Sequence, residues 1–454
     1  MCWSSEARGT GACLWSPQAL SQNVLPQTHA GGATGAGAAL DAATRGLRTA
    51  LVEADDFASG TSSRSTKLIH GGVRYLEKAF FQVSSSALHA LVQLNDAETG
   101  HTLQLDYGQL KLVLEALQER RHMLVSAPHL SSPLPTLTPC YAWWELPYYW
   151  LGLKAYDLVA GAAGLTWSRF VTAQSAHNLF PPLATVRSGD PAHAALKGGV
   201  VYYDGQMDDA RINVALATTA ALAGAAVVNH VRVERLLKDE RGTVRGVACK
   251  DVLTGATFEV DAKAVINATG PFCDALRSQA TGKAETPALI TPSSGVHITL
   301  PAHFCGSNTG LIVPRTRDGR VCFLLPWLGA SVAGTTDAPT TLTHTPRPTA
   351  KEVDFILATL GEYLDKAPGR ADVLSAWSGI RPLAADPSKG STENITRDHV
   401  LTVDNGVVTI TGGKWTTYRK VRSSLVCILV DAIDTRLVFR WPRMLWMRPS
   451  NTPS

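Results

Sequence analysis

Three cations near the carboxyl end of the chain stand at turns or at the ends of predicted strands. They are Arg381, Arg397 and Lys414. Arginine can bind a phosphate through two parallel hydrogen bonds, and lysine offers a compact point charge. The three positions together predict a site for an anionic substrate or cofactor. Taken alone, each of them is better explained as ordinary surface charge.

A second polar group lies between positions 59 and 75. The stretch is rich in Ser, Thr and Gly and contains Arg64, Lys67, His70 and Arg74. Hydroxyls, glycines and cations in one turn are typical of a loop that wraps an anionic cofactor. A solvated surface loop is the alternative, and polarity alone favours it.

A glycine-rich turn leads into an Ala-rich stretch, which predicts a helix stopped by Gly46. Gly32 and Gly35 would let a pyrophosphate approach the helix N-terminus, where free N–H groups and the helix dipole favour anions. A short buried strand, 49–53, follows. Its last residue, Glu53, lies about twenty residues past Gly32, which is the spacing of an acid that binds a ribose hydroxyl. The pattern predicts the second half of a β-α-β nucleotide-binding unit.

The first half of that unit departs from the pattern. Pro26 stands where a central strand should run, and a parallel ladder tolerates proline poorly. Ala30 occupies the position of the first glycine, where a tight turn is needed. We therefore expect the first strand to be missing or replaced.

Later parts of the chain predict a second domain. Buried strands are predicted at 263–268, 296–300, 311–314, 321–326, 331–334 and 407–410. The Asp318-Gly319 pair between two of them is a hairpin signal, so the middle four predict an antiparallel sheet. Thr349 and Glu352 form a predicted capping box that opens a helix. Apolar residues then recur at helical spacing at Val353, Ile356, Leu357, Leu360 and Leu364, and Pro368-Gly369 would end the helix.

Composition limits the class of protein. The chain has 454 residues, which suggests two or three domains, and its 45% hydrophobic and 18% charged residues are globular in character. A net charge of +4 gives no electrostatic case for nucleic acid. No apolar run approaches the roughly 20 residues of a membrane-spanning helix. The eight cysteines form no Cys-x-x-Cys pair, which argues against a disulfide scaffold, a zinc ribbon and an iron–sulfur cluster.

Seven segments, taken in order, resemble the FAD-dependent glycerol-3-phosphate dehydrogenases, and most of all the mitochondrial, quinone-reducing type. They are GGATG at 31–35, TSSRSTKLIHGGVRY at 61–75, YDGQMDDAR at 203–211, NATGP at 267–271, AGTTD at 333–337, SGIRPL at 378–383 and GGKWTTYR at 412–419. The resemblance covers about residues 31–420.

The resemblance implies an α/β fold in which a Rossmann-like FAD-binding domain carries a substrate-capping domain built on an antiparallel sheet. The FAD-binding domain would comprise 30–110, 200–275 and 370–420, and the capping domain 111–199 and 276–369. Atypical segments, 1–29 and 421–454, would flank them.

The implied reaction is the oxidation of sn-glycerol 3-phosphate to dihydroxyacetone phosphate, with a hydride passed to FAD and electrons passed on to a membrane quinone. The implied location is the mitochondrial inner membrane, with peripheral attachment, and a homodimer is compatible with the family. No metal is implied, since the chain lacks the Asp-x-Asp-x-Asp-Gly calcium loop of some relatives.

Individual roles follow from matching positions in the family. The implied cofactor-binding residues are Gly32, Ala33, Thr34, Gly35, Glu53, Thr61, Ser62, Ser63, Lys67, Leu68, His70, Gly270, Gly413 and Thr416. The implied substrate-binding residues are Arg74, Tyr75, Arg381, Arg397 and Lys414. His297 is the candidate base, because imidazole titrates near neutral pH, and His70 is the alternative. Arg381 or Lys414 would stabilise an alkoxide electrostatically.

Two other functions stay open at this point. The chain could be a non-catalytic remnant of the family that binds little FAD, or a related flavin oxidase that passes electrons to oxygen or oxidises an amine. The stretch at 83–105 shares little with the family. The last residues, with Trp441, Trp446 and several arginines, are compatible with a membrane-surface tail or with unrelated sequence.

Overall fold

The computed structural model describes residues 27–29, 31–72, 107–188, 194–283, 286–306, 308–314, 316, 319–385, 395–396, 399–420, 422 and 426. Several sequence predictions concern residues outside these ranges: Pro26, Ala30, Arg74, Tyr75, the stretch at 83–105, Asp318, Arg397, Trp441 and Trp446.

Seven α-helices and twenty strands occur in the described ranges. The helices are α1 (Ala33–Thr44), α2 (Tyr107–Ser126), α3 (Glu145–Ala160), α4 (Ala173–Leu179), α5 (Asp209–Leu222), α6 (Cys273–Thr281) and α7 (Ala350–Gly361). The strands are β1 (Gln27–His29), β2 (Ala50–Val52), β3 (Leu68–Ile69), β4 (Ser131–Cys140), β5 (Arg169–Thr172), β6 (Gly198–Met207), β7 (Ala226–Val228), β8 (Val231–Lys238), β9 (Val244–Asp251), β10 (Thr257–Asp261), β11 (Val265–Asn267), β12 (Ile290–Pro301), β13 (Gly310–Val313), β14 (Cys322–Trp327), β15 (Ala330–Gly334), β16 (Ala338–Pro339), β17 (Ser375–Ala385), β18 (Ile395–Thr396), β19 (His399–Asp404) and β20 (Val407–Gly412).

A six-stranded sheet has the order β19-β20-β11-β1-β2-β7, in which all neighbours except β19 and β20 are parallel. The alanines of α1 pack against α5 beside this sheet, because small side chains let two helices approach closely. On α6, Leu276 and Ala280 pack with residues of β2, β11 and β20. Parallel strands covered by helices form the Rossmann-like part of the predicted fold.

The expectation that the first strand is missing is wrong. β1 lies between β2 and β11 and pairs in parallel with both. It begins at Gln27, one residue after Pro26, so the proline does not interrupt its ladder. Strand pairing uses backbone groups, and two flanking strands can therefore hold a three-residue strand of polar sequence.

Helix α1 confirms the predicted stop, because Gly46 has a φ of +82° and the N–H groups of Gly46 and Leu47 bond to carbonyls of the last turn. The helix begins at Ala33, so Gly35 lies inside its first turn. The capping box of Thr349 and Glu352 at α7 is also confirmed.

The predicted end of α7 near Pro368 is wrong. The helix ends at Gly361, and residue 364, although its N–H still bonds to the carbonyl of Leu360, forms an isolated β-bridge with Leu183. Leu364 is buried in the core of the larger sheet. Its helical spacing therefore reflects burial rather than continuation of the helix.

An eleven-stranded sheet follows the order β18-β17-β12-β15-β14-β13-β4-β6-β3, with β16 on β12 and β5 on β6. All pairs are antiparallel except β4 with β13, which confirms the predicted sheet and the predicted hairpin between β13 and β14. β8, β9 and β10 form a separate antiparallel sheet. Among the described helices, none is long and apolar enough to cross a membrane.

Candidate functional site

The N-terminus of α1 faces the polar loop at 59–72. Gly32 is the N-cap residue and has no side chain with which to cap the helix, and the first turn holds no acidic residue. The N–H of Ala33 donates to Ser62 Oγ at 3.0 Å. Backbone donors and the positive end of the helix dipole therefore point toward a hydroxyl-lined loop, which is the chemistry of a phosphate cradle.

Glu53 lies at the end of β2, beside the same turn. Its carboxylate accepts hydrogen bonds from the N–H groups of Gly31 and Asp55. The amide of Asn213, which is fully buried on α5, donates to the carbonyl of Gly31. Glu53 and Asn213 thus hold the glycine turn from two sides and place an acid where a ribose is expected.

The loop at 59–72 is tied to both sheets. Thr61 Oγ1 donates to the carbonyl of Ile380 on β17 at 2.7 Å. The indole N–H of Trp415, just after β20, donates to the carbonyl of Ser62 at 2.8 Å. The predicted cofactor loop therefore joins the six-stranded and the eleven-stranded sheets.

Lys67 is buried at the end of this loop and is paired with an acid. Its Nζ lies 2.6 Å from Asp209 Oδ1 and donates to the carbonyl of Ser63 at 2.6 Å. The hydroxyl of Ser65 also donates to Asp209. Leu68, which follows, is buried in β3. The Lys67 charge is thus used to fix the loop.

His297, on β12, is 3% exposed. Its Nε2 hydrogen-bonds with the hydroxyl of Thr66 at 2.9 Å, and its ring stacks on Trp377 with the centroids 5.4 Å apart. Burial, followed by the charges of Arg381 and Lys67, lowers the pKa of His297 to about 3. The imidazole is therefore neutral at physiological pH, which is the form that can accept a proton.

Arg381, on β17, is held by four groups around its guanidinium. It donates to Asp337 Oδ1 at 3.1 Å, to Thr335 Oγ1 at 2.8 Å, and to the carbonyls of Thr336 and Ser294. Burial lowers its pKa from the usual value, although it remains a strong base. A fixed guanidinium can bind a phosphate or carboxylate.

His297 and Arg381 lie on one face of the β12–β17 pair. In the register, Ser293 is opposite Arg381 and His297 is opposite Trp377. Because side chains alternate between the two faces of a sheet, residues an even number of positions apart on these strands share a face, which places His297 and Arg381 together. The guanidinium extends over Gly295, where a Cβ would overlap it, and a Cβ on Gly334 would overlap the imidazole. Because two strand residues span roughly 7 Å, the two functional groups are separated by about the length of a small phosphorylated alcohol.

The remaining predicted cofactor residues lie at strand ends. Gly270 follows β11 with a φ of +57°, and Gly413 follows β20 with a φ of +78°. Lys414 caps the 3-10 turn that contains Thr416, which is 3% exposed. Burial, then the charges of Lys414 and Arg120, lower the pKa of half-buried His70 to about 3. His70, like His297, is therefore neutral.

An open cavity of about 350 Å³ adjoins this face of the sheet, which is within the size range of small-molecule sites. It is lined by Ser63, Arg64, Lys67, Thr299, Trp327 and Trp377. Lys67 Nζ lies 5.8 Å from the Trp377 ring and 6.0 Å from the Trp327 ring. In the described ranges, no group of three or more His, Cys, Asp or Glu residues could hold a metal ion.

A buried ionic network behind His70 escaped the sequence predictions. Arg120 on α2 is 1% exposed and bonds Asp204 Oδ1 on β6 at 2.6 Å. The hydroxyl of Tyr156 on α3 donates to the same oxygen at 2.9 Å, and the N–H of Gly71 donates at 3.3 Å. The network therefore anchors the backbone next to His70.

Some of these missed residues left a trace in the sequence. Asp204 and Asp209 belong to the 203–211 segment that carries the resemblance, and Thr66 belongs to the segment at 61–75. Arg120 lies among other charged residues on a helix and gave no signal. Only the packing of α2 on β6 distinguishes it from a surface arginine.

The chain matches the family FAD dependent oxidoreductase over residues 31–419. It therefore belongs to that family, which confirms FAD as the predicted cofactor and the predicted fold class. It is 54% identical over 409 residues to the mitochondrial glycerol-3-phosphate dehydrogenase SDP6 of Arabidopsis thaliana, a match that covers 90% of this chain and 60% of that protein. It is 51% identical over 415 residues to the mitochondrial glycerol-3-phosphate dehydrogenase of Mesocricetus auratus, with 90% of this chain and 52% of that protein covered.

Among solved structures, the glycerol-3-phosphate dehydrogenase of Bacillus halodurans complexed with FAD matches with a TM-score of 0.67 and 28% identity. The match covers 92% of this chain and 66% of that one. These similarities confirm the resemblance read from the sequence. The chain spans about half to three fifths of the length of the curated relatives it matches.

The residues present fit an FAD. A helix N-terminus with a glycine N-cap and no acid in its first turn suits a pyrophosphate, Glu53 suits a ribose, and a hydroxyl-rich loop tied between two sheets provides an extended binding edge.

Proposed function

We propose that this chain oxidises sn-glycerol 3-phosphate to dihydroxyacetone phosphate with bound FAD and passes the electrons to a membrane quinone. The observation that carries the proposal is the placement of neutral His297 and fixed Arg381 on one sheet face, with the guanidinium over Gly295, two residues before His297 on β12. The family and the resemblance to the mitochondrial dehydrogenases support it.

The proposed FAD contacts are those predicted from the sequence. Gly32 to Gly35 would hold the pyrophosphate at the N-terminus of α1, and Glu53 would hold a ribose. Thr61 to Ser63, Lys67, Leu68 and His70 would line the cofactor from the loop, and Gly270, Gly413 and Thr416 from the strand ends. When bound, FAD supplies the two-electron acceptor that protein side chains lack.

Arg381 is proposed to hold the substrate phosphate. Arg381 is ion-paired with Asp337, whose side chain is half exposed. A solvent-exposed ion pair contributes little free energy, so a dianionic ligand can replace Asp337 as the partner of Arg381. Lys414 would add a second cation, as would Arg74 and Arg397, and the hydroxyl of Tyr75 would add a hydrogen bond. A phosphate bound at Arg381 directs the rest of a three-carbon substrate along β12 toward His297.

His297 is proposed to take the proton of the substrate C2 hydroxyl. The ring is neutral and is fixed by Thr66 and Trp377, so it loses little freedom when it accepts the proton. The negative phosphate would also stabilise the imidazolium that forms. His70 is the alternative base, since it is neutral as well. Measuring kcat of the His297→Asn and His70→Asn variants separates the two assignments, because the variant that lacks the base should show the larger loss of kcat.

The finer parts of the proposal rest on family resemblance. They are mitochondrial location with peripheral attachment to the inner membrane, a quinone acceptor, a homodimer, and the domain division at 110, 200, 275 and 370. A flavin oxidase remains distinct from this proposal, because it would generate peroxide with oxygen and would not need a quinone analogue.

The first experiment is the visible absorbance spectrum of the purified chain, before and after anaerobic addition of glycerol 3-phosphate. A bound flavin that bleaches supports the proposal, and glycerol without phosphate should leave the spectrum unchanged. A flavin that stays oxidised would overturn the substrate assignment. A chain that cannot be loaded with flavin would favour the non-catalytic remnant.

Arg381→Ala tests the phosphate site. We expect KM for glycerol 3-phosphate to rise at least about thirtyfold, because a charge-assisted bidentate contact contributes roughly 2–3 kcal/mol. Arg381→Lys, which keeps the charge but loses the fork geometry, should recover part of the loss. An unchanged KM in Arg381→Ala would contradict the assignment.

A further inference from the structure

The segment between β15 and β16 is one residue longer than the part of β12 that it faces. At the end of β15, Gly334 pairs with His297 of β12. At the start of β16, Ala338 pairs with Ser294 of the same strand. The two intervening residues of β12 therefore face three residues, 335–337, which we call the bulge. An extra residue in one strand of an antiparallel pair bends that strand and redirects its side chains.

Each residue of the bulge gives one acceptor atom to the Arg381 guanidinium. These atoms are the hydroxyl oxygen of Thr335 at 2.8 Å, the carbonyl oxygen of Thr336 at 3.0 Å and a carboxylate oxygen of Asp337 at 3.1 Å. A guanidinium that is held by three successive residues takes its place from the backbone of that segment. The position of the bulge therefore sets the position of the proposed phosphate-binding group.

The hydroxyl of Thr336, a residue that is 2% exposed, has partners on two other elements. It accepts a hydrogen bond at 2.9 Å from the N–H of Val296, which directly precedes His297, and it donates to Glu352 Oε1 at 3.0 Å. A backbone N–H can only donate, so the hydroxyl must accept on that side and its proton is directed to the carboxylate. One hydroxyl thus joins the bulge, β12 and α7.

Glu352 lies in the first turn of α7 and is itself fixed by the capping box. Its other carboxylate oxygen accepts hydrogen bonds from the N–H and the hydroxyl of Thr349, at 3.0 and 2.7 Å. The body of α7 packs in the core with Val296 and Ile298, whereas His297 between them faces the opposite side of the sheet. The helix therefore lies behind the face that carries the site and reaches that site through Glu352.

We propose that Thr336 and Glu352 are positioning residues for the oxidation of glycerol 3-phosphate. Through them, the N-terminus of α7 fixes the bulge that holds Arg381 and the backbone of β12 that carries His297. The inference rests on the proposed function, in which Arg381 binds the phosphate and His297 takes the proton of the C2 hydroxyl. Because both groups depend on one hydroxyl, its loss should raise KM and lower kcat together.

Thr336→Val tests the hydroxyl, because it keeps the shape of the side chain and removes the bonds to Val296 and Glu352. With glycerol 3-phosphate and a water-soluble dye acceptor, we expect kcat/KM to fall at least about tenfold, since small displacements of binding and catalytic groups are costly. Thr336→Ser keeps the hydroxyl and should recover most of the loss. The matched control is Thr359→Val, which makes the same change at a buried threonine of α7 whose hydroxyl donates to a carbonyl of that helix. The control should behave like the parent.

Glu352→Ala tests the other end of the link, although it also removes part of the helix cap. Its matched control is Thr349→Ala, which weakens the cap but leaves Glu352 bonded to Thr336. Both substitutions should lower the unfolding temperature, whereas only Glu352→Ala should lower kcat/KM. Glu352→Ala combined with Thr336→Val should lose no more activity than the worse single variant, because the two residues form one link. Additive losses, or equal kinetic effects of Glu352→Ala and Thr349→Ala, would overturn the inference.

Inorganic phosphate provides a measurement that needs no turnover. We expect it to raise the unfolding temperature of the flavin-loaded parent and of Thr359→Val, and to raise that of Thr336→Val less. If the parent bleaches with substrate and Thr336→Val matches it in kinetics and in its response to phosphate, this inference alone is contradicted. If the parent does not bleach but Thr336→Val still loses its response to phosphate, the proposed function fails and the positioning role stands. A parent that neither bleaches nor responds to phosphate overturns both.

Discussion

At the level of single residues, space on the β12–β17 face is set by two glycines. Gly295 leaves room for the Arg381 guanidinium, and Gly334 on β15 leaves room for the His297 ring. Each glycine is a neighbour of a different functional group, so a methyl group at either position should disturb one half of the site and spare the other.

Gly295→Ala is expected to raise KM for glycerol 3-phosphate with a smaller effect on kcat, because the displaced guanidinium binds phosphate. Gly334→Ala is expected to lower kcat at least about tenfold, since a shift of about 1 Å in a catalytic group is costly. Steady-state kinetics on both variants provides the measurement. Equal effects of the two substitutions on KM and kcat would contradict the division of roles.

The buried imidazole of His297 also has a consequence for stability. Its pKa is about 3 in the folded chain and near 6.5 when unfolded, so the unfolded chain binds more protons between these values. The free energy of unfolding should therefore fall as pH drops below about 6.5, by up to about 1.4 kcal/mol per pH unit from this group. The contribution of neutral His297 to the free energy of unfolding is fully present above pH 6.5.

Urea unfolding of the parent chain and of His297→Gln between pH 7 and pH 4 measures this contribution. The variant cannot gain the proton, so its stability should fall less steeply with acid by about that slope. Carboxylates contribute equally to both proteins and cancel in the difference. Parallel stability curves would show that His297 titrates normally in the folded chain.

At the level of elements, α2, α3 and β6 meet at a fully buried ion pair. Asp204 accepts from Arg120, Tyr156 and the N–H of Gly71, and burial raises its pKa despite these bonds. Both ions lie in low dielectric, so removing one leaves the other unpaired. The arrangement favours one position for the backbone beside His70.

Asp204→Asn should lower the free energy of unfolding by about 3–5 kcal/mol, because it leaves the buried Arg120 charge without a counter-ion. Arg120→Met with Asp204→Asn should be less destabilised than the sum of the single changes, since no buried charge remains. A double-mutant cycle by urea unfolding measures the coupling. Strict additivity would show that the pair is not coupled.

At the level of the whole molecule, the loop at 59–72 couples the two large sheets. Its bonds reach Ile380 on one sheet and Trp415 after the last strand of the other. A cofactor that lies along the loop contacts both parts at once. Flavin binding should therefore stabilise the chain as a unit rather than one sheet alone.

Trp415→Phe tests this coupling, because it leaves an aromatic ring at this position and removes the N–H donor to Ser62. We expect FAD to bind about fivefold more weakly, as the loss of one hydrogen bond of about 1 kcal/mol predicts. Fluorescence titration of flavin-depleted chain measures the change. Trp167→Phe, which alters an exposed indole, is the control, and an equal change there would remove the special role of Trp415.

The glycine turn, the acid at Glu53, the capping box at Thr349 and the antiparallel strands could be predicted from the sequence, because each depends on neighbouring residues or on local periodicity. The resemblance also named His297 and Arg381. Their local sequence alone could not place them together, since the two residues are more than eighty positions apart.

Three features were decided only by the tertiary structure. β1 exists because two parallel neighbours bond its backbone, which outweighs its unfavourable sequence. Arg120 is a buried partner of Asp204 because α2 packs on β6, although Arg120 stands among other charged residues in the sequence of the helix. α7 ends before Leu364 where the carbonyl of Tyr363 and the N–H of Asp365 bond to the segment around Leu183. In each case a contact between distant segments outweighed the local preference, and such contacts form only when the whole chain has folded.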